Sequence, residues 1–181
     1  MAKMCGWMAR SAWPRADRCR KHNPVTDGRS PVRRDPAFYP FAAAVETRFQ
    51  DLDPLGHINN VAMAALFEQG RVRFNRNMLD ELHSRNAKNP NAGERWLIAK
   101  VDINYLAEAH FPAPVTICTG IGRIGTSSWT LLAAAFQNDT SGQSTCVATA
   151  DCVLVMTGKD GPMPIPDGLR AMIAARMCAG L

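Results

Sequence analysis

One helical segment that is apolar on every side limits the folds open to this chain. The helical pattern runs from about Asn59 to Leu82, and its first part, residues 61–67, reads VAMAALF. A helix without a polar face must be surrounded by other structure. The chain must therefore supply elements that enclose this segment.

Strand-like runs supply such an enclosure. Alternating apolar residues from Phe41 onward indicate a half-buried strand ahead of the helix. Four further runs follow the helix, at 96–106, 114–122, 127–137 and 144–156, and residues 169–177 form a short helical pattern. The last two runs are apolar on both parities, as strands covered on both faces are. This order predicts an α+β domain, with an antiparallel sheet wrapped around one long central helix.

The basic charge of the chain is concentrated at its beginning. Residues 1–36 hold nine Lys and Arg against three Asp, a net +6, whereas the remainder holds 12 basic and 13 acidic residues. We expect residues 1–36 to be a basic, disordered tail, or residues added by an upstream start codon, and residues 37–181 to form a single domain. The near-neutral body offers no excess of charge for a nucleic-acid partner.

Composition also argues against several other classes. Six scattered cysteines form no C-x-x-C pair and no Cys/His cluster with zinc-ligand spacing, so we expect no metal, no cofactor and a reduced, cytoplasmic setting. No apolar stretch approaches the roughly 20 residues of a membrane-spanning helix. A G-x-S-x-G elbow is also missing, which argues against a serine hydrolase.

The chemically informative segment lies between the first strand and the helix. Residues 51–60 read DLDPLGHINN and place five polar side chains in ten positions beside the most apolar part of the chain. The start of a helix offers unpaired N–H groups and the positive end of its dipole, which stabilise an oxyanion. A carboxylate a few residues upstream can face the same carbonyl. These are the parts that thioester hydrolysis needs.

The motif D-x-D-P-x-G-H-x-N-N ahead of a helix resembles the hotdog-fold acyl-CoA thioesterases of the 4-hydroxybenzoyl-CoA thioesterase type. Weaker similarities extend the resemblance over residues 41–166, at FEQGR (67–71), KVDINYL (100–106), IGTSS (124–128) and PIP (164–166). The resemblance implies a hotdog fold and hydrolysis of an acyl-CoA or acyl-carrier thioester. It also implies a homodimer or homotetramer with the site between subunits.

Carried over position by position, the resemblance implies that Asp53 is the nucleophile or general base. Backbone N–H groups around Asn59, Asn60 and Val61 would polarise the thioester carbonyl, while His57 and Asn59 would shape the pocket. The candidates for substrate contact are Gly56, Val61, Glu68, Ser127 and Ser128. For Glu68 the alternative interpretation is an ion pair with Arg71, and for the two serines an ordinary position at the start of a strand.

Three other functions remain to be separated from this one. A non-catalytic hotdog module would bind acyl-CoA without cleaving it. The acyl-ACP thioesterases share D-x-D and H-x-N-N but carry Asn where this chain has Leu55. Hotdog hydratases use D-x-N-P-x-H, which this turn does not match. Release of free thiol from acyl-CoA separates the enzyme from the binding module.

Overall fold

The structure, a computed structural model, describes residues 27–85 and 95–181. It contains six strands and two α-helices within these ranges. In chain order they are β1 (Phe41–Val45), α1 (Asn60–Arg85), β2 (Arg95–Tyr105), β3 (Val115–Ile124), β4 (Ser128–Asn138), β5 (Ser144–Gly158), β6 (Gly161–Pro162) and α2 (Asp167–Ala174). The predicted helix and all five predicted strand runs are present, although β1 ends at Val45.

The strands form one antiparallel sheet in the order β1-β3-β4-β5-β2, with β6 paired to β5. The strand that precedes α1 and the strand that follows it therefore lie at opposite edges. The sheet curls around α1, which confirms the predicted hotdog fold. We call the side of the sheet that contacts α1 the helix face and the opposite side the outer face.

The helix face holds two groups of buried side chains, one for each half of α1. Met63, Leu66 and Phe67 pack on the sheet near the N-terminal half of α1. Phe74 and Met78 pack near the C-terminal half, where Trp129 belongs to the same group. The apolar positions of α1 thus meet the sheet along most of the helix, and Asn60 lies at the end opposite to Trp129.

Gly70 marks a close approach of α1 to the sheet. A Cβ atom at this position would lie 2.3 Å from Cγ2 of Ile117 on β3. We expect Gly70→Ala to lower the free energy of unfolding by about 1–3 kcal/mol, because the added methyl group forces the helix and the strand apart. Urea denaturation measures the change.

Gly168 provides the matched control for this substitution. It lies in α2, and a Cβ atom there would meet nothing within 4 Å. Gly168→Ala should leave stability unchanged or raise it slightly, since alanine favours helix. Equal effects of the two substitutions would show that close packing at Gly70 does not limit stability.

The outer face is covered by a segment that includes the last ten residues of the predicted tail. Residues 27–40 cross this face, and Phe38 and Tyr39 pack with Leu132, Ala134 and Phe136. This cover explains why β4 and β5 are apolar on both parities. For residues 27–36 the structure therefore differs from the predicted disordered tail, whereas residues 1–26 lie outside the described residues.

An ion pair between a buried arginine and a half-buried aspartate fixes this segment to the sheet. Arg33 is fully buried, and its Nη2 lies 2.8 Å from Oδ1 of Asp151 on β5. The same guanidinium donates to the carbonyl of Ala150 at 3.1 Å and, through Nε, to the Tyr39 hydroxyl at 3.1 Å. Burial raises the pKa of Asp151 above its ordinary value, and the nearby guanidinium opposes that rise. A charge that looked like part of a solvated tail is thus an internal anchor.

One side of the molecule leaves apolar groups in solvent. Within the described ranges β2 pairs only with β5, so its other edge is open. Exposed apolar residues gather along this edge and along the neighbouring side of α1: Val61, Val72, Leu97, Ile98, Val101 and Tyr105. We call this set the open edge. The expectation that structure surrounds α1 is therefore met on only one side in a single chain.

Neither of the two described α-helices is long and apolar enough to cross a membrane. The described cysteines, Cys118, Cys146, Cys152 and Cys178, are free thiols. Burial raises the pKa of Cys118 to about 11. No group of three or more His, Cys, Asp or Glu side chains in residues 27–85 and 95–181 is arranged to hold a metal ion.

Candidate active site

The turn that carries the candidate residues is anchored by Asp51. This carboxylate is 3% exposed and accepts the Arg48 N–H at 2.8 Å and the Arg48 guanidinium at 2.9 Å. These contacts with Arg48 lower the pKa of Asp51. Its carbonyl accepts both the backbone N–H and the side-chain amide of Asn59 at 2.8 Å. Asp51 thus ties the strand exit to the start of α1, a structural role.

Asp53 folds the turn around its own side chain. Its Oδ1 accepts the N–H of Leu55 at 2.8 Å and of His57 at 3.1 Å, while the Gly56 N–H donates to the Asp53 carbonyl at 3.0 Å. Gly56 has φ +85°, a conformation that favours glycine. The backbone N–H of His57 is the main cause that lowers the pKa of Asp53. The carboxylate is therefore ionised at neutral pH, and Oδ2 has no hydrogen-bond partner among the described residues.

The first turn of α1 leaves two N–H groups unused. Asn59 caps the helix, because its Oδ1 accepts the Ala62 N–H at 2.8 Å. The Asn59 N–H donates to the Asp51 carbonyl, so it is not free to hold an oxyanion as the resemblance implied. The N–H groups of Asn60 and Val61 have no acceptor within the described part of the chain, and the side chain of Val61 is 81% exposed. They are the remaining donors.

His57 lies between Asp53 and a second segment of the chain. Its Nε2 is 3.3 Å from Oε2 of Glu108, and its ring centroid is 5.2 Å from that of His110. The sequence pattern singled out neither Glu108 nor His110, both of which are exposed. Only the fold brings this connection between β2 and β3 beside the motif. The carboxylates of Asp53 and Glu108 and the imidazoles of His57 and His110 thus lie near the start of α1.

The predicted contacts with substrate do not all lie at this end. Glu68 pairs with Arg71 at 3.3 Å, as in the alternative interpretation, and is exposed. Ser128 is opposite Val155, which pairs with Leu97, whereas Ala148 at the other end of β5 pairs with Tyr105. Tyr105 reaches the Asn60 carbonyl at 3.4 Å. Within one chain the two serines are therefore at the far end of the sheet, roughly 20 Å away at about 3.3 Å per residue.

A cavity of about 700 Å³ lies on the outer face, away from the motif. Lys100, Asp102, Arg123, Thr130 and Asp151 contribute to its lining, together with Ser128. Its lining mixes these polar groups with apolar ones such as Leu132 and Val153. The Asp53 turn therefore opens to solvent beside the open edge and does not line this cavity.

Comparison with known proteins identifies the family. The model of the Thioesterase-like superfamily matches residues 47–173, which is more than half of the chain. The chain belongs to this superfamily. The matched region contains the motif, α1 and every strand after it, so the predicted resemblance to hotdog-fold thioesterases is confirmed. A search of curated proteins returned no match.

Solved thioesterase structures share the fold. A predicted thioesterase from Bacillus stearothermophilus is 27% identical, with TM-score 0.60, over 76% of this chain and 96% of its own. A thioesterase from Thermus thermophilus, complexed with coenzyme A and Zn, is 27% identical, with TM-score 0.60, over 76% and 95%. A 4-hydroxybenzoyl-CoA thioesterase mutant complexed with 4-hydroxybenzoyl-CoA is 15% identical, with TM-score 0.58, over 74% and 97%, which shows the fold alone.

Proposed function

We propose that this member of the superfamily is an acyl-CoA thioesterase, which hydrolyses the thioester to a free acid and a thiol. Asp53 acts as the nucleophile or general base, and the N–H groups of Asn60 and Val61 hold the oxyanion. The observation that carries the proposal is an ionised carboxylate at Asp53, in the turn that leads into α1, together with two unused N–H groups, at Asn60 and Val61, in the first turn of that helix. Membership in the superfamily and a similar thioesterase complexed with coenzyme A support the substrate class.

The Asp53 carboxylate and the N–H groups at the start of α1 have the charges that attack on a thioester carbonyl requires. The N–H groups at the start of a helix stabilise negative charge as it develops on the carbonyl oxygen. Asp53 Oδ1 is held by two backbone donors, which leaves Oδ2 to attack or to activate water. Thiolate departs readily, so the site needs no strong general acid. Each of these groups is ready before substrate binds.

We further propose that the complete site lies between two copies of the chain. Antiparallel pairing of two β2 edges would bury the open edge and remove an unpaired strand. It would also bring the Tyr105 end of one β2 to the Arg95 end of its partner, because the pairing reverses direction. The Ser127 and Ser128 end of one chain would thereby approach the Asp53 end of the other, which reconciles the predicted substrate contacts with their separation in one chain.

An acyl-CoA panel with short, long and aromatic acyl groups tests the proposal. We expect release of free thiol from at least one substrate at a kcat of the order of 1 s⁻¹ or above. Each substrate is tested in parallel as its acyl-carrier thioester, to distinguish the two carriers. Tight binding without thiol release would contradict the enzyme and favour a binding module.

A further inference from the structure

We propose that Glu108 is a positioning residue for His57 and that the two side chains together control the proton of the attacking water. The inference rests on the function proposed above and deepens it. Its basis is the juxtaposition of His57 Nε2 and Glu108 Oε2, 3.3 Å apart, on two segments that the fold holds together.

The segment that carries Glu108 is held firmly against the motif. The Ile58 N–H donates to the Ala109 carbonyl at 2.8 Å. Gln137 on β4 is buried and clamps the next residue on both sides, since its Oε1 accepts the His110 N–H at 2.8 Å and its Nε2 donates to the His110 carbonyl at 2.7 Å. Three hydrogen bonds thus hold the two residues that follow Glu108, which keeps its backbone beside the His57 turn.

The surroundings of His57 leave one ring nitrogen, Nδ1, free to accept a proton. The titratable groups that face its ring in the described structure are Asp53 on its own turn, and Glu108 and His110 on the facing segment. A carboxylate beside Nε2 favours the tautomer that carries the proton there. Nδ1 is then an acceptor, and it has no hydrogen-bond partner within residues 27–85 and 95–181.

Asp53 can therefore act as the nucleophile, and His57 can act as the base that takes the proton of the attacking water. Asp53 Oδ2 attacks the acyl carbon, and the C–S bond breaks to release thiolate. Water then bonds to the acyl carbon of the resulting anhydride and its proton passes to His57 Nδ1. The C–O bond to Asp53 breaks, which restores the carboxylate. The imidazolium gives its proton to the thiolate, so the products are one carboxylic acid and one thiol.

A double-mutant cycle tests whether Glu108 acts through His57. We expect Glu108→Gln to lower kcat about tenfold with little change in KM, the pattern of an interaction used in the chemical steps. The double variant with His57→Gln should be no slower than His57→Gln alone, because the effects of coupled residues do not add. Glu46→Gln, at another exposed glutamate, should leave kcat unchanged.

Rescue by the conservative variant separates positioning from a merely structural role. Glu108→Asp keeps a carboxylate beside His57 and should recover part of the kcat that Glu108→Gln loses. An unchanged kcat, or additive losses in the double variant, would overturn the proposal. Because Glu108 is exposed, the variant should remain folded, which circular dichroism verifies.

A wild-type protein that releases no thiol would contradict the proposed function, and the pair can still be tested. Nitrogen NMR of the His57 ring should then show the proton on Nε2 in the wild type and a mixture of tautomers in Glu108→Ala. An unchanged spectrum would refute the inference about Glu108 independently of any activity.

Discussion

Asp53→Asn is expected to lower kcat by about three to four orders of magnitude, the usual loss when a nucleophile or its activating base is removed. KM should change little, because the contact with the acyl carbon matters in the reaction and not in binding. The asparagine Oδ1 can still accept the N–H groups of Leu55 and His57, so the turn should persist. Thiol release and circular dichroism measure the two effects.

Two further variants make this result specific. Asp53→Ala removes the acceptor as well as the charge, so it should be equally slow and also less stable. Asp160→Asn, at an exposed aspartate beside β6, should keep full activity. Comparable turnover in Asp53→Asn and the wild type would remove Asp53 from the reaction.

Val101→Asp is expected to convert a dimer into a monomer and to abolish activity with it. Val101 lies at the centre of the open edge, where the two-fold pairing would bury its side chain. Two carboxylates brought together at such an interface cost several kcal/mol, enough to weaken association at least about 100-fold. Light scattering coupled to size exclusion gives the mass, and thiol release gives the activity.

The control for this substitution is Val32→Asp. Val32 is an exposed valine on the segment that crosses the outer face, away from the open edge. It should alter neither mass nor turnover. A Val101→Asp protein that is monomeric and fully active would show that one chain contains the whole site.

The helix and the strands could be predicted because their periodicities are local. The apolar run in α1 and the alternation in β2 follow directly from neighbouring residues. The alternation of apolar residues gave a wrong prediction at one position. Phe49 has the same parity as the inward-facing positions of β1, but its side chain is 76% exposed because the chain leaves the sheet after Val45. A turn can end a strand even where the alternation of apolar and polar residues continues in the sequence.

The contacts between residues far apart in the sequence could not be predicted, because no local sequence pattern encodes them. Arg33 and Asp151 are 118 residues apart, and the basic, proline-rich context of Arg33 is typical of a solvated tail. Glu108 meets His57 only because the chain returns along β2 to the start of α1. Within the motif, the sequence indicated which residues form the turn. It did not predict that the Asn59 N–H donates a hydrogen bond to the Asp51 carbonyl.

The central claim is that a carboxylate and two helix N–H groups converge on one carbonyl. A crystal structure of the Asp53→Asn protein with a non-cleavable acyl-CoA analogue tests it most directly. We expect the carbonyl oxygen about 2.7–3.1 Å from the backbone nitrogen of Asn60 or Val61, with the side chain at position 53 facing the acyl carbon. An analogue bound elsewhere, such as in the cavity on the outer face, would contradict the account.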